Sequence, residues 1–528
     1  MPKITLNGQE VEVADGLNLI QAAESVGVTI PHYCYHPGLP IDGNCRMCLT
    51  EVEGARGPQI ACNTFVKEGM VVHTDTPAVE KMRKGVQEFL LLNHPIDCPV
   101  CDQAGECKLQ DYYMEYGQYD NRSMVSKVEK KKVVDLGPTV VLDQERCILC
   151  SRCVRFCESV TETGELVIAN RGDHSAIEAF PGMELDNPYS VNVVDLCPVG
   201  ALTSKDFRFK QRVWFLQSTK SVCTGCAKGC AINADHKEGV VYRYRPRHNP
   251  QVNSYWMCDE GRFSYKAINE NRLRSALIEG REVPFGTALD AVVTKLKSIV
   301  EIYGAESIAV VGSPHSTVED NFLLDRLAKD VLATPNFWAV ALTPDGSHDD
   351  FLRRADKTPN RNGIRFLGYN DDAESLKAAL ASGKVRMLIM MNTDLLTEGD
   401  PSWQEALAKV PTTVMFATHG TPGARKVGIT LPVAMHAEKF GSFVQENGVL
   451  QKIMRAYDPS GDVLPEWEAI GMLAGRLGKS LGYDDMEQIW DDLQKAYPAL
   501  AGQTFYGLPE HGLSLPTRAS AAPVAAAP

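Results

Sequence analysis

The sequence predicts an α+β first half built around cysteine-bound metal centres and an α/β second half. Three observations predict it. All sixteen cysteines of the 528 residues lie between Cys34 and Cys258. They fall into four groups, separated by segments with their own hydrophobic patterns. Beyond them, residues 285–500 alternate helix-period and strand-period runs, the mark of helices packed on a largely parallel sheet.

The length is enough for about three or four domains at roughly 150 residues each. Hydrophobic residues make up 44% and charged residues 23%, an ordinary globular balance. A net charge of -13 argues against a nucleic-acid partner, whose binding relies on clustered cations. No apolar run approaches the ~18 residues of a membrane span, the longest lying near Met387–Met391. The first residues, Met1-Pro2-Lys3-Ile4-Thr5-Leu6, lack the regions of a secretory signal, so a cytoplasmic address is expected. In a reducing compartment, sixteen cysteines point to metal or redox chemistry instead of disulfides.

The first group is Cys34, Cys45, Cys48 and Cys62. Ahead of it, Asn7-Gly8 between two strand-like runs is a hairpin signal, and Leu17, Ile20 and Ala23 read as a short amphipathic helix stopped by Gly27. Gly38 and Gly43 permit close backbone approach inside the ligand loop. Residues 1–76 resemble the β-grasp fold of plant-type [2Fe-2S] ferredoxins, although C-x10-C-x2-C-x13-C departs from their spacing.

The second group is His94, Cys98, Cys101 and Cys107, within a domain expected over 77–135. It follows a helix over 77–92 that places Val79, Met82, Val86, Phe89 and Leu90 on one face. A zinc knuckle is one reading of three thiolates and an imidazole. Placed after a ferredoxin-like domain, H-x3-C-x2-C-x5-C resembles the second cluster domain of the large iron-sulfur subunit of complex I and of iron-only hydrogenases, which implies a [4Fe-4S] cluster.

The third group, in 136–217, is Cys147, Cys150, Cys153 and Cys157, with Cys197-Pro198 farther on. In the bacterial ferredoxin run C-x2-C-x2-C-x3-C the last Cys serves the partner cluster. Counting back from Cys197 puts the missing thiolates at Val193, Ser190 and Asn187, so there is no second cluster. The expected [4Fe-4S] ligands are therefore Cys147, Cys150, Cys153 and Cys197, with Cys157 a buried free thiol; the rival reading takes Cys157 as the fourth ligand.

The fourth group is Cys223, Cys226, Cys230 and Cys258, spaced C-x2-C-x3-C-x27-C within 218–274. With Gly261-Arg262-Phe263 after it, the pattern resembles the [4Fe-4S] module of molybdopterin oxidoreductases. Zinc could satisfy any one group, but four in succession with ferredoxin-type spacings favour one [2Fe-2S] and three [4Fe-4S] clusters. Loaded, the chain would carry a charge of about -20.

In 275–505, Ala288–Ile302 and Phe322–Val331 read as helices, and Ser307–Val311, Val385–Met391 and Thr412–Phe416 as strands. Neither a G-x-G-x-x-G turn nor a Walker loop is present. Ile429–Ala434 with Glu438, Gly441 and Gly448 resembles the late pterin domain of molybdopterin oxidoreductases. No Cys follows Cys258, and Glu260 stands where that family carries a Lys, so the scaffold is expected without molybdopterin. Lys127, Lys130, Lys131 and Lys132 read as a solvated linker face, Tyr242–Arg247 as an edge strand, and 506–528 as a disordered tail.

The order of groups resembles the large iron-sulfur subunit (G-type, 75 kDa) of NADH:quinone oxidoreductase, complex I. The resemblance implies an electron-transfer subunit with no catalytic site of its own, carrying single electrons from flavin on the NADH-binding partner toward quinone-side iron-sulfur subunits. It implies a place on the cytoplasmic side of the inner membrane, held there through the complex. The alternative is a subunit of a soluble NAD-linked formate dehydrogenase or hydrogenase.

Overall fold

A computed structural model describes residues 1–120, 122–395 and 401–516. The chain forms two compact units, Met1–Leu216 and Gln217–Pro528.

The first unit opens with a hairpin, β1 (Lys3–Leu6) and β2 (Gln9–Glu12), turned at Asn7 and Gly8 with φ of 49° and 83°. These positive angles are what an Asn-Gly hairpin turn requires. Helix α1 (Leu19–Ser25) starts at a capping box in which Asn18 and Gln21 exchange bonds. Strands β3 (Leu49–Val52), β4 (Gln59–Ile60) and β5 (Val71–His73) complete a sheet of order β2-β1-β5-β3-β4, which packs Ile4, Leu6 and Val72 against Leu19 and Ile20.

Helix α2 (Pro77–Asn93) has Thr76 as its cap and Pro77 at its start. Its buried face is Val79, Arg83 and Gln87, whereas Phe89 is exposed, contrary to the apolar face expected. The cause is a pair of neighbouring tyrosines that need polar partners, Tyr116 of α3 (Lys108–Tyr116) and Tyr33 of the loop before Cys34. Arg83 donates to the Tyr116 hydroxyl at 3.1 Å, and Gln87 to that of Tyr33 at 2.5 Å. In the lysine segment Lys127, Lys131 and Lys132 are exposed, as a solvated linker face requires, and the segment is also tied down: Lys132 pairs with Glu145 at 2.5 Å, and Lys127 and Lys130 donate to the carbonyls of Leu92 (3.1 Å) and Ser175 (2.6 Å).

Strands β6 (Val134–Asp135) and β7 (Val140–Leu142), helix α4 (Arg152–Ser159), the hairpin β8 (Leu166–Ala169) and β9 (Ala176–Ala179), helix α5 (Asn192–Leu196) and strand β10 (Leu202–Ser204) form the remainder of this unit. β7 is the centre of the β10-β7-β6 sheet.

The second unit begins with an antiparallel sheet, β11 (Gln217–Val222), β12 (Ala231–Lys237) and β13 (Val240–Pro246), with β13 at its edge. Helices α6 (Asp259–Phe263) and α7 (Lys266–Asn269) lead to the hairpin β14 (Ala276–Ile278) and β15 (Arg281–Val283). A seven-stranded sheet of order β15-β14-β20-β19-β18-β16-β17 is the core of this unit. Here β16 (Ile308–Gly312), β17 (Phe337–Ala339), β18 (Met387–Met391), β19 (Thr412–Ala417) and β20 (Ile429–Pro432) run parallel, and the β14–β15 hairpin adds an antiparallel edge. Both faces are covered, which explains continuous apolar strands such as Met387-Leu388-Ile389-Met390-Met391. Ile389 packs with α8 (Phe285–Tyr303) and α9 (Val318–Arg326), and Leu388 and Met390 pack on the opposite face.

Strands β21 (Gly441–Val444), β22 (Val449–Ile453) and β23 (Leu513–Ser514) form a last small sheet. The tail expected from residue 506 is therefore ordered through 516: Leu508 and Leu515 are buried, and Glu510 pairs with Lys220 at 2.6 Å. The remainder of the expected tail, 517–528, lies outside the described residues.

Candidate metal centres

The first group lies in loops around the five-stranded sheet. Cys34 precedes the Gly43 turn, Cys48 leads into β3, and Cys62 lies in the turn after β4. Gly43 has φ 72° and a Cβ there would meet Ile60 Cδ1 at 2.9 Å, so a side chain is barred on two counts. The amides of Tyr33 and Cys34 donate to Cys45 Sγ at 3.5 and 3.4 Å. A hydrogen bond from Cys34 draws the Cys45 thiol down to about 7, and one from Cys62 draws Cys48 down. In each abutting pair the partner moves the other way: Cys34 and Cys62 are raised by the same hydrogen bonds and by burial, so one thiol of each pair gives up its proton more readily than the other.

In the second group, His94 ends α2, its amide bonded to Leu90 O at 3.3 Å. Burial pushes the imidazole down to about 4, so it is neutral, and its buried Nδ1 has no partner. Cys98 opens a single turn closed by the Cys101 amide on Cys98 O at 3.1 Å, and Cys107 immediately precedes α3. Burial raises Cys107 to about 11, with the charges of Cys101 and Cys98 adding to it. Gly200 lies so close to Cys101 Sγ that any side chain there would collide with it.

In the third group, Cys147, Cys150, Cys153 and Cys197 line one small cavity with Leu142, Val199 and Leu202. Leu149 and Ser151, at φ 53° and 59°, fold the loop so that its three thiols face inward. Burial pushes Cys150 up to about 11. Cys157 is fully buried but absent from that lining. Its thiol is raised by burial, by the charge of Glu165 and by hydrogen bonding to it.

In the fourth group, Cys223, Cys226, Cys230 and Cys258 line a cavity with Gly261, Arg353 and Lys357. Cys258 caps α6, its sulfur accepting from the Gly261 amide at 3.3 Å. A Cβ at Gly261 would meet Cys223 Sγ at 3.0 Å and Cys258 Sγ at 3.3 Å, so this glycine keeps the cradle open. Glu260 is held by Lys357 at 2.9 Å and by Ser347 at 2.7 Å. Lys357, from a distant loop, thus pairs with Glu260 at the edge of this cavity, a contact that sequence spacing did not signal.

Among the described residues, no three His, Cys, Asp or Glu side chains meet at the spacing of a single ion. Donors spread around a multi-atom core need not converge that tightly. Soft sulfur donors, a neutral imidazole with an unpartnered nitrogen, and glycines that leave room beside sulfur all fit iron-sulfur clusters.

A further cavity of about 270 Å³ opens at the carboxyl ends of β18, β19 and β20, bordered by Asn392, Thr418 and His436 and reaching Thr224. There Lys439 is buried between Asp320 (2.7 Å) and Glu466 (2.6 Å). Arg243 and Arg245 on the edge strand β13 are engaged by Asp235 at 2.7 and 2.8 Å.

Families of known description match along the chain in the same order. A 2Fe-2S iron-sulfur cluster binding domain matches residues 2–77, an NADH-ubiquinone oxidoreductase-G iron-sulfur binding region 83–122, and an NADH-quinone oxidoreductase subunit 3 ferredoxin-like domain 137–203. A molybdopterin oxidoreductase Fe4S4 domain matches 216–270, and a molybdopterin oxidoreductase domain 360–476. Among solved structures, a chain of an NAD+-reducing [NiFe]-hydrogenase aligns at 28% identity over 40% of this chain and 91% of its own, with a TM-score of 0.37 that is too low to define a shared architecture.

The G subunit of NADH-quinone oxidoreductase from Rickettsia conorii is 41% identical over 62% of this chain and 49% of its own length; the chain thus spans about half of that relative. The G subunit from Streptomyces coelicolor is 34% identical over 90% of this chain and 58% of its own. The mitochondrial NADH-ubiquinone oxidoreductase 78 kDa subunit of Neurospora crassa is 30% identical over 94% of this chain and 84% of its own. With that coverage of both partners, and with iron-sulfur domains matching in order, the chain belongs to the family of NADH-quinone oxidoreductase G subunits, the 75 kDa subunits of the mitochondrial enzyme.

Proposed function

We propose that this chain is an electron-relay subunit of NADH:quinone oxidoreductase, passing single electrons from flavin on an NADH-binding partner toward quinone-side iron-sulfur subunits. The observation that carries the reading is the gathering of the third and fourth cysteine groups each around a small cavity of its own, with Cys197 joining the Cys147–Cys153 loop and Cys157 turned to Glu165.

Cys34, Cys45, Cys48 and Cys62 would hold a [2Fe-2S] cluster. His94 with Cys98, Cys101 and Cys107, Cys147 with Cys150, Cys153 and Cys197, and Cys223 with Cys226, Cys230 and Cys258 would each hold a [4Fe-4S] cluster. Such clusters supply one-electron redox steps when bound. The protein's share is to bury the thiols, orient them through backbone amides such as those of Tyr33, Cys34 and Gly261, and keep water away.

No pterin is assigned to the second unit. The sequence has no Cys after Cys258, and Lys439 at the 270 Å³ cavity is already engaged by two carboxylates. No helix among the described residues is long and apolar enough to cross a membrane; attachment to the cytoplasmic side of the membrane through partner subunits belongs to the same proposal.

Anaerobic purification with iron, sulfide and zinc counting and EPR tests the reading. About 14 irons per chain are expected from one [2Fe-2S] and three [4Fe-4S] clusters. Colourless protein loaded with zinc alone would overturn it, and bound molybdenum with formate oxidation by the isolated chain would favour the dehydrogenase alternative.

A further inference from the structure

We propose that Arg152 and Arg155 form a paired cationic bridge that fixes the separation of the first and third cysteine groups and makes both easier to reduce. The proposal rests on the cluster-bearing function proposed for the chain. Both residues lie in the first turn of α4, where the helix dipole disfavours positive charge. The local sequence therefore accepts a cost that a long-range role must offset.

Arg155 is buried, and its Nη2 donates to Cys34 O at 2.5 Å and to Cys150 O at 3.2 Å, carbonyls of residues whose thiols belong to different groups. Its Nη1 donates to Pro40 O, and its Nε to Ser151 Oγ at 2.9 Å. That hydroxyl in turn donates to the Asp42 carboxylate in the first group's loop. Arg152 repeats the pattern one turn away: Nη1 donates to Leu196 O at 3.0 Å, beside Cys197, and Nη2 to Tyr35 O, beside Cys34. Three ligand-bearing backbone segments, those of Cys34, Cys150 and Cys197, are thus tied by two planar forks.

Among the described residues, neither guanidinium bonds a carboxylate directly; both bind carbonyls and one serine hydroxyl. A buried cation without an anion is costly, and the anionic charge that would offset it is that of the thiolate-ligated groups on either side. Fixed positive charge stabilises an added electron at both stations. When one electron passes between them, one station is oxidised and the other reduced by one equivalent. No bond is made or broken, and no proton moves. Lys in place of Arg would keep the charge but lose the two-armed contact.

The test is an EPR-monitored redox titration of the full chain loaded anaerobically, as wild type, Arg155→Met, Arg152→Met and Arg155→Lys. In each methionine variant the reduction equilibria of the first and third stations should fall about tenfold, or 59 mV for a one-electron couple. The fourth station, in the other unit, should not move, and Arg155→Lys should recover most of the shift. Should a methionine variant shed iron, Arg155→Gln, an uncharged carbonyl-binding amide, gives the same reading. Iron-replete neutral variants with both potentials unchanged would overturn the bridge. Wild-type protein without iron would instead overturn the cluster reading beneath it.

Discussion

Asp97 grips the Arg146 guanidinium at two points, Oδ1 accepting from Nε at 3.1 Å and Oδ2 from Nη2 at 2.5 Å. Asp97 is the residue before Cys98 and Arg146 the residue before Cys147, so one ion pair joins the second and third cysteine groups. Lys132 reinforces it from the linker, reaching Asp97 at 3.4 Å and Glu145 at 2.5 Å.

Replacing Asp97 with Ala removes the two-point acceptor of a largely buried guanidinium and leaves it only the longer contact to Asp143 at 3.4 Å. Hydrogen bonds to charged groups contribute roughly 1.5–3 kcal/mol, so a loss of about 2 kcal/mol is expected. Thermal unfolding of the full chain would register it, and Arg146→Lys, without the fork, should recover only part of what Arg146→Ala loses.

The two candidates for the third station separate by substitution. Cys197→Ala should remove one [4Fe-4S] signal and about 4 of the ~14 irons. Cys157→Ala should leave iron and EPR spectra unchanged, because that thiol faces Glu165. The reverse outcome would reassign the ligand.

His94 is held neutral by burial, and a neutral donor leaves its cluster one charge less negative than a thiolate would. His94→Cys should therefore lower the midpoint potential of the second station alone, as read by redox titration of that signal. Gly261→Ala should act at the fourth station, since its methyl group would press on Cys223 and Cys258 sulfur, lowering iron occupancy there and nowhere else.

Burial alone would raise the Asp235 carboxyl, but the charges and hydrogen bonds of Arg245 and Arg243 outweigh it and hold the group below the ordinary carboxylate range. A depressed folded value contributes stability that is complete above the unfolded value of about 3.9 and is lost as pH falls through the folded one. Amide exchange in β12 and β13 should accelerate below about pH 4 in the wild type. Asp235→Asn should be faster already at neutral pH, with the acid-dependent step abolished.

Much of this architecture was legible in the residues. Asn7-Gly8 announced its hairpin because few pairs tolerate positive φ at both positions, and Met387–Met391 announced a strand covered on both faces. The short runs Cys147–Cys157 and Cys223–Cys230 stand out in the sequence because their spacings are local, whereas Cys197 and Cys258 reach the same cavities from far along the chain. What spacing could not reveal was partnership across the chain. Lys357 reaching Glu260, Gly200 making room beside Cys101, and Arg155 spanning Cys34 and Cys150 depend on contacts far apart in sequence. Only the arginines left a trace, as cations at the wrong end of a helix. Phe89 misled for a related reason: a periodic apolar face cannot disclose that the neighbouring helix offers tyrosine hydroxyls.

The ordered stretch after Tyr506 has a bearing on handling and turnover. His511 O accepts from Asn249 Nδ2 at 3.0 Å across 262 positions of sequence, and Glu510 supplies partners to Lys220 and Arg247. Beyond this clasp, Leu513 and Ser514 pair with β22, and the Leu515 amide donates to Gly448 O at 2.8 Å. Cleavage on the amino side of Glu510 would detach both sets of contacts from β11 and β22, so damage close to residue 510 would be felt in the sheet that leads into Cys223, nearly three hundred positions earlier.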